Sequence, residues 1–131
     1  MLQRHIEVSF QKEGVHKYPA ALTDPKLKEV EFLGYPHRHM FHFHVKLEVF
    51  HNDREVEFIL FKRELEKFYE TRMNLDFKSC EMLAEELILL LQTRYPDRDI
   101  TTRVYEDGEN GAVLEYSKPS YPAQSGVRGC L

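Results

Sequence analysis

The sequence has 131 residues, 42% of them apolar and 12% aromatic, enough to bury one proper core, so a single domain is expected. Eighteen Lys and Arg against 22 Asp and Glu leave a net charge of -4 with no run of like charges, which argues against nucleic acid as a partner. The longest apolar run, Leu87 to Leu91, is far too short for a membrane span, Met1 to Ser9 carries no signal-peptide pattern, and Cys80 and Cys130 are too few for a disulfide framework. These features predict a cytoplasmic protein with reduced thiols.

Ile6, Val8 and Phe10 alternate with Glu7 and Ser9, the period of a strand with one buried face, and Gly14 marks a bulge or turn after it. Residues 20–34 carry turn residues and charges without a period and read as a loop. From about Pro36 to Phe50 the odd positions Phe41, Phe43, Val45, Leu47 and Val49 are apolar, predicting a long strand. Asn52-Asp53 is expected to turn the chain into a hairpin partner through Val56, Phe58 and Leu60.

Phe61, Leu65, Phe68 and Tyr69 then recur at helical spacing, predicting a helix over 60–72. A second helix is expected from the N-cap Ser79, with Glu81 in its first turn and Leu83, Leu87, Leu90 and Leu91 as its apolar stripe, ending before Pro96. Two more strands follow, through Ile100 to Glu106 and Ala112 to Tyr116, around a turn in 107–111 that contains Asp-Gly and Asn-Gly. The Pro-, Ser- and Gly-rich residues 117–131 read as a flexible tail after a domain spanning 1–116. The expected architecture is α+β, a four-stranded antiparallel sheet in the order ββααββ with two helices on one face. The uncovered face and the open edges of such a sheet predict a homo-oligomer.

Four of the seven histidines fall between positions 37 and 44. His37 and His39, one residue apart on a strand, project from the same face and can share a metal ion; His16 is placed to join them if the first two strands pair antiparallel. Three neutral imidazoles with one open position suit catalytic zinc. The alternative is that the pair only forms the polar start of a strand, and His42 and His44 point to the opposite face. Glu106 continues the inner face of Ile100, Thr102 and Val104. A carboxylate there either accepts two adjacent N–H groups, as on a pterin or guanine edge, or closes a salt bridge at the sheet's end.

These pieces resemble one family. His37-Arg38-His39-Met40-Phe41 resembles the H-G-H-N-Y strand of the 6-pyruvoyl and 6-carboxytetrahydropterin synthases, and Gly14-Val15-His16-Lys17 resembles their A-A-H-R element. Glu57-Phe58 matches a D-F pair, Ser79-Cys80-Glu81-Met82-Leu83-Ala84 a T-S-E-N-L-A helix start, and Val104-Tyr105-Glu106-Asp107 a V-x-E-T strand. The resemblance implies the tunnelling fold, with trimers and hexamers and active sites between subunits. It also implies zinc on His16, His37 and His39, a pterin ring anchored by Glu106, and ring contacts from Ser79 and Cys80. The substrate implied is a dihydroneopterin triphosphate-like pterin.

The sequence departs from the family where protons are moved. Leu33 stands at the position of the catalytic cysteine, and the family's Asp-His pair falls at about Glu70-Thr71, with Asp76 as a substitute if the loop is shortened. Glu31 and His42 are further acid-base candidates. Two functions follow as expectations: a zinc-dependent pterin synthase-like lyase using other proton-transfer groups, or a non-catalytic oligomer that keeps the zinc and a purine or pterin pocket.

Overall fold

The computed structural model describes residues 1–69 and 72–120. Its strands are β1 (Arg4–His16), β2 (His37–Val49), β3 (Arg72–Asp76), β4 (Ile100–Glu106) and β5 (Asn110–Tyr116); its α-helices are α1 (Phe58–Glu66) and α2 (Cys80–Arg94). They form one five-stranded sheet in the order β3-β1-β2-β4-β5. All neighbours are antiparallel except β3, which lies parallel to β1.

This mixed sheet replaces the expected four-stranded antiparallel one, and two 3-10 segments, Pro19–Leu22 and Pro25–Gly34, join the two α-helices. The difference arises between the helices. α1 stops at Glu66, and the chain returns as an extended segment that buries Met73 and Leu75 on alternate residues and adds itself to the free edge of β1. The expected strand through Val56 and Leu60 does not form. Glu57 instead caps α1, its carboxylate accepting from the backbone N–H groups of Ile59 and Leu60, two donors a helix start leaves free.

β1 also runs on through Gly14, where a bend was expected, to His16. Gly14 suits a close crossing: a Cβ there would lie 3.0 Å from Phe41 and from Leu75. The irregularity comes later, between Val15 and His16, and only on the β3 side.

Both α-helices cover the sheet face that carries the apolar odd positions of β2, α1 over β1 and α2 over β4 and β5. Phe41, Phe43, Val45 and Leu47 are fully buried there, and Phe43 stacks on Phe10 at 4.9 Å between ring centres. Burial of one such side chain stabilises by roughly 1.5–3 kcal/mol. α2 begins as its sequence implies, with the Ser79 hydroxyl accepting from Met82 N–H at 3.1 Å.

The far end of the sheet is held by ion pairs. Glu48, on the charged side of the β2 alternation, is buried, accepting from Asp99 N–H at 3.0 Å and Lys118 Nζ at 2.8 Å. Beside it Glu55 takes Arg98 in a two-point contact at 3.0 and 2.8 Å, with the guanidinium 4.4 Å above the Phe50 ring. Among the described residues, no helix is long and apolar enough to cross a membrane.

Candidate metal centre

The β1–β2 register sets His16 directly opposite His37 and Gly14 opposite His39, so the three histidines lie at one end of the helix-covered face. Their ligand atoms all fall within 4.8 Å of one another, and the group could hold a metal ion. The ring centres are 4.6 to 5.2 Å apart and the planes are steeply inclined, so the imidazoles converge rather than stack.

Each ring is fixed from behind through Nδ1. His16 Nδ1 lies 2.7 Å from the Lys78 carbonyl, His37 Nδ1 2.7 Å from the Tyr35 carbonyl, and His39 Nδ1 2.7 Å from Asp107 Oδ2. With all three Nδ1 atoms donating to oxygen, each Nε2 is left as the basic atom, the tautomer that imidazole ligands need. Among the described residues, Nε2 of His16 and of His39 is buried without a hydrogen-bond partner. Buried polar atoms are rarely left so, and a cation between them would satisfy both.

Glu106 closes the group from β4. Its Oε2 lies 3.1 Å from His16 Nε2 and its Oε1 3.7 Å from His39 Nε2, charge contacts rather than aligned hydrogen bonds. The His16 contact holds the Glu106 carboxyl below its usual range against the opposing effect of burial, and the carboxylate in turn raises the His16 imidazole. Asp107 is held low by the Met40 N–H, 2.9 Å from Oδ1, and by His39.

A cavity of about 540 Å³ opens beside the histidines, with His16, His37 and Glu106 at one end and Ser79 and Cys80 on its wall. Lys17 and Lys78 also line it, although their ammonium groups pair with Asp76 at 3.6 Å and Glu86 at 2.6 Å. The residues singled out from the sequence for metal and ligand binding thus share one place. Leu33 is on the wall as well.

The acid-base candidates do not gather there. Glu31 sits in the 25–34 segment away from the lining, and Asp76 ends β3 paired with Lys17. His42 lies on the opposite face, opening with His44 on a separate cavity of about 400 Å³. Glu70 lies outside the described residues, as does Cys130. Cys80 is buried and its thiol is pushed up to about 12 by burial and then by Glu106, so it is no ready nucleophile.

The residue that sequence reasoning passed over is Asp107. It was read as turn chemistry and as the last position of the V-x-E-T match, with no part in the metal site, and it does adopt the left-handed φ of 55° in the hairpin turn, followed by Gly108 at 74°. The signal available was its place directly after an inward-facing carboxylate at the end of a strand adjoining the H-x-H pair.

No protein-family model matches the chain, and no curated protein matches it. Among solved structures, the uncharacterized protein WS1659 from Wolinella succinogenes is similar, with a TM-score of 0.64 and 14% identity over 89% of this chain and 100% of that one. At that identity the likeness concerns the fold alone.

Proposed function

We propose that this protein is a zinc-dependent, 6-pyruvoyl or 6-carboxytetrahydropterin synthase-like protein that binds a dihydroneopterin triphosphate-like pterin beside its three histidines. The observation that carries the proposal is the convergence of His16, His37 and His39 within 4.8 Å beside a cavity that His16 and His37 line together with Glu106, Ser79 and Cys80. A donor set of three neutral imidazoles fits zinc. Bound there, zinc would polarise an oxygen of the substrate and acidify its protons.

The chain's own groups would bind and orient. Glu106, held ionised, accepts the paired N–H groups of a pterin edge; Lys17 and Lys78 on the lining would meet a phosphorylated tail by exchanging their present partners Asp76 and Glu86 for its phosphates. Assembly of identical subunits belongs to the same reading, since among the described residues β3 and β5 end the sheet with no further strand paired to them.

A second reading, a non-catalytic zinc and pterin binder, is favoured by two observations. Leu33 on the cavity wall cannot carry a proton, and the raised Cys80 thiol does not replace it. Metal analysis and turnover separate these readings. About one zinc per chain with elimination of inorganic triphosphate from dihydroneopterin triphosphate supports the enzyme, whereas stoichiometric zinc and pterin binding without turnover supports the binder. Absence of metal from protein purified without chelator and incubated with zinc would sink both.

A further inference from the structure

We infer that Glu106 is a fourth metal ligand, closing the coordination of the three-histidine centre until a substrate draws the carboxylate away. The inference rests on the metal centre proposed above and extends it.

Two of the three metal-facing nitrogens, His16 Nε2 and His39 Nε2, are buried and unpartnered among the described residues, and Glu106 is the group that faces both, Oε2 at 3.1 Å and Oε1 at 3.7 Å. The two oxygens face different histidines, so the carboxylate stands at the rim of the three-nitrogen group, close enough for one oxygen to reach an ion held among them by a small rotation of the side chain. The backbone favours this placement. Glu106 is the last residue of β4 and pairs in register with Phe41, two residues from His39 on the same face of β2. Its neighbour Asp107 ties the same turn to β2 twice, through its own N–H to the Met40 carbonyl at 2.7 Å and through Oδ1 to Met40 N–H at 2.9 Å. The carboxylate is therefore delivered to the histidines by a fixed strand end.

The consequence concerns access. A site with four protein ligands is closed in the manner of structural zinc, and a site with three is open to chemistry. Glu106 cannot both ligate the ion and accept the N–H edge of a bound ring, so the same carboxylate would decide between a closed centre and an open one. The ring's N–H groups would take over the carboxylate, and the coordination position would pass to the substrate.

Cobalt(II) reports this directly, because its visible absorption depends on ligand number and type. The full-length protein and Glu106→Gln would each be loaded with cobalt and titrated with azide, a small anion that enters an open metal position. With one cobalt per chain in both, the inference expects azide to bind Glu106→Gln at least tenfold more tightly than wild type, and the two resting spectra to differ. Equal azide affinity and identical spectra at full loading would overturn it while leaving the three-histidine centre intact. Failure of the wild-type protein to bind cobalt would overturn the centre itself, whereas loss of cobalt from Glu106→Gln alone would support ligation by the carboxylate. Glu106→Asp guards against a folding defect in the first variant: its shortened carboxylate is expected to give azide affinity between the other two, and an affinity equal to wild type would count against ligation.

Discussion

The Asp107 carboxylate holds His39 at Nδ1 with a 2.7 Å contact and, through its other oxygen, accepts the N–H of Met40, the next residue along β2. One side chain therefore fixes both the tautomer of a candidate ligand and the strand that bears it. Partners of this kind typically contribute a factor of 10–100 in metal affinity. Asp107→Ala is expected to weaken zinc binding by about that factor, measured by competition with a chromophoric chelator. An affinity within twofold of wild type would mean that the contact does not orient the ligand.

Removal of the metal should be felt by the fold. A ligand at about 100 times its Kd stabilises the native state by about 2.7 kcal/mol, and for a domain of this size that is on the order of 10 °C in Tm. Chelation of the zinc-loaded protein is expected to lower Tm by that order, and His37→Ala should start low and not respond to chelator. Differential scanning calorimetry with and without chelator checks both.

Cys80 should be inert while the protein is folded. Its thiol is buried and pushed up to about 12, so very little thiolate exists at neutral pH. In a Cys130→Ser background, which leaves Cys80 as the lone cysteine, labelling by a disulfide reagent at pH 8 is expected to be slower than in denaturant by at least two orders of magnitude. Rapid labelling of the folded protein would overturn this assignment and restore Cys80 as a candidate nucleophile.

The ion pair at the opposite end of the sheet sets an acid limit. Arg98, followed by the Phe50 N–H, lowers the Glu55 carboxyl from 4.5 to about 2. A carboxyl depressed on folding contributes stability above its unfolded pKa, and that contribution fades as pH falls from about 4.5 through about 2. The side chains of Arg98 and Glu55 are 17% and 21% exposed, so solvent screening reduces the contribution to about 1–2 kcal/mol. Arg98→Ala should lose it at pH 7, and the difference from wild type should shrink in urea denaturation series taken from pH 5 to pH 2.

Legibility followed the strength of the local pattern. The alternation of β2 names its buried face residue by residue, and α2 carries its own start in Ser79 and its stop before Pro96, so both elements could be read directly. β3 could not. Its five residues offer only Met73 and Leu75 to the core, too short a pattern to separate from a loop, and its partner is a distant strand edge. Val56, Phe58 and Leu60 misled for the opposite reason: two-residue spacing also occurs by chance across a helix start, and the Glu57 cap decided the outcome. At the site, the histidines and Glu106 stood out because polar residues on an inner face demand partners. The carbonyls of Lys78 and Tyr35, which aim two of the rings, have no signature in side-chain identity.

His16 and His37 are partners in register at the very end of the β1–β2 ladder, and residues 17–36 leave and return between them. An ion shared by these two rings would join the ends of that excursion where the ladder is most prone to fray. Opening of the strand ends and departure of the metal would then be a single event. Backbone amides near Val15 and Arg38 would exchange with solvent only as often as the ion lets go, and the lifetime of the metal could be read from deuterium uptake at two peptides.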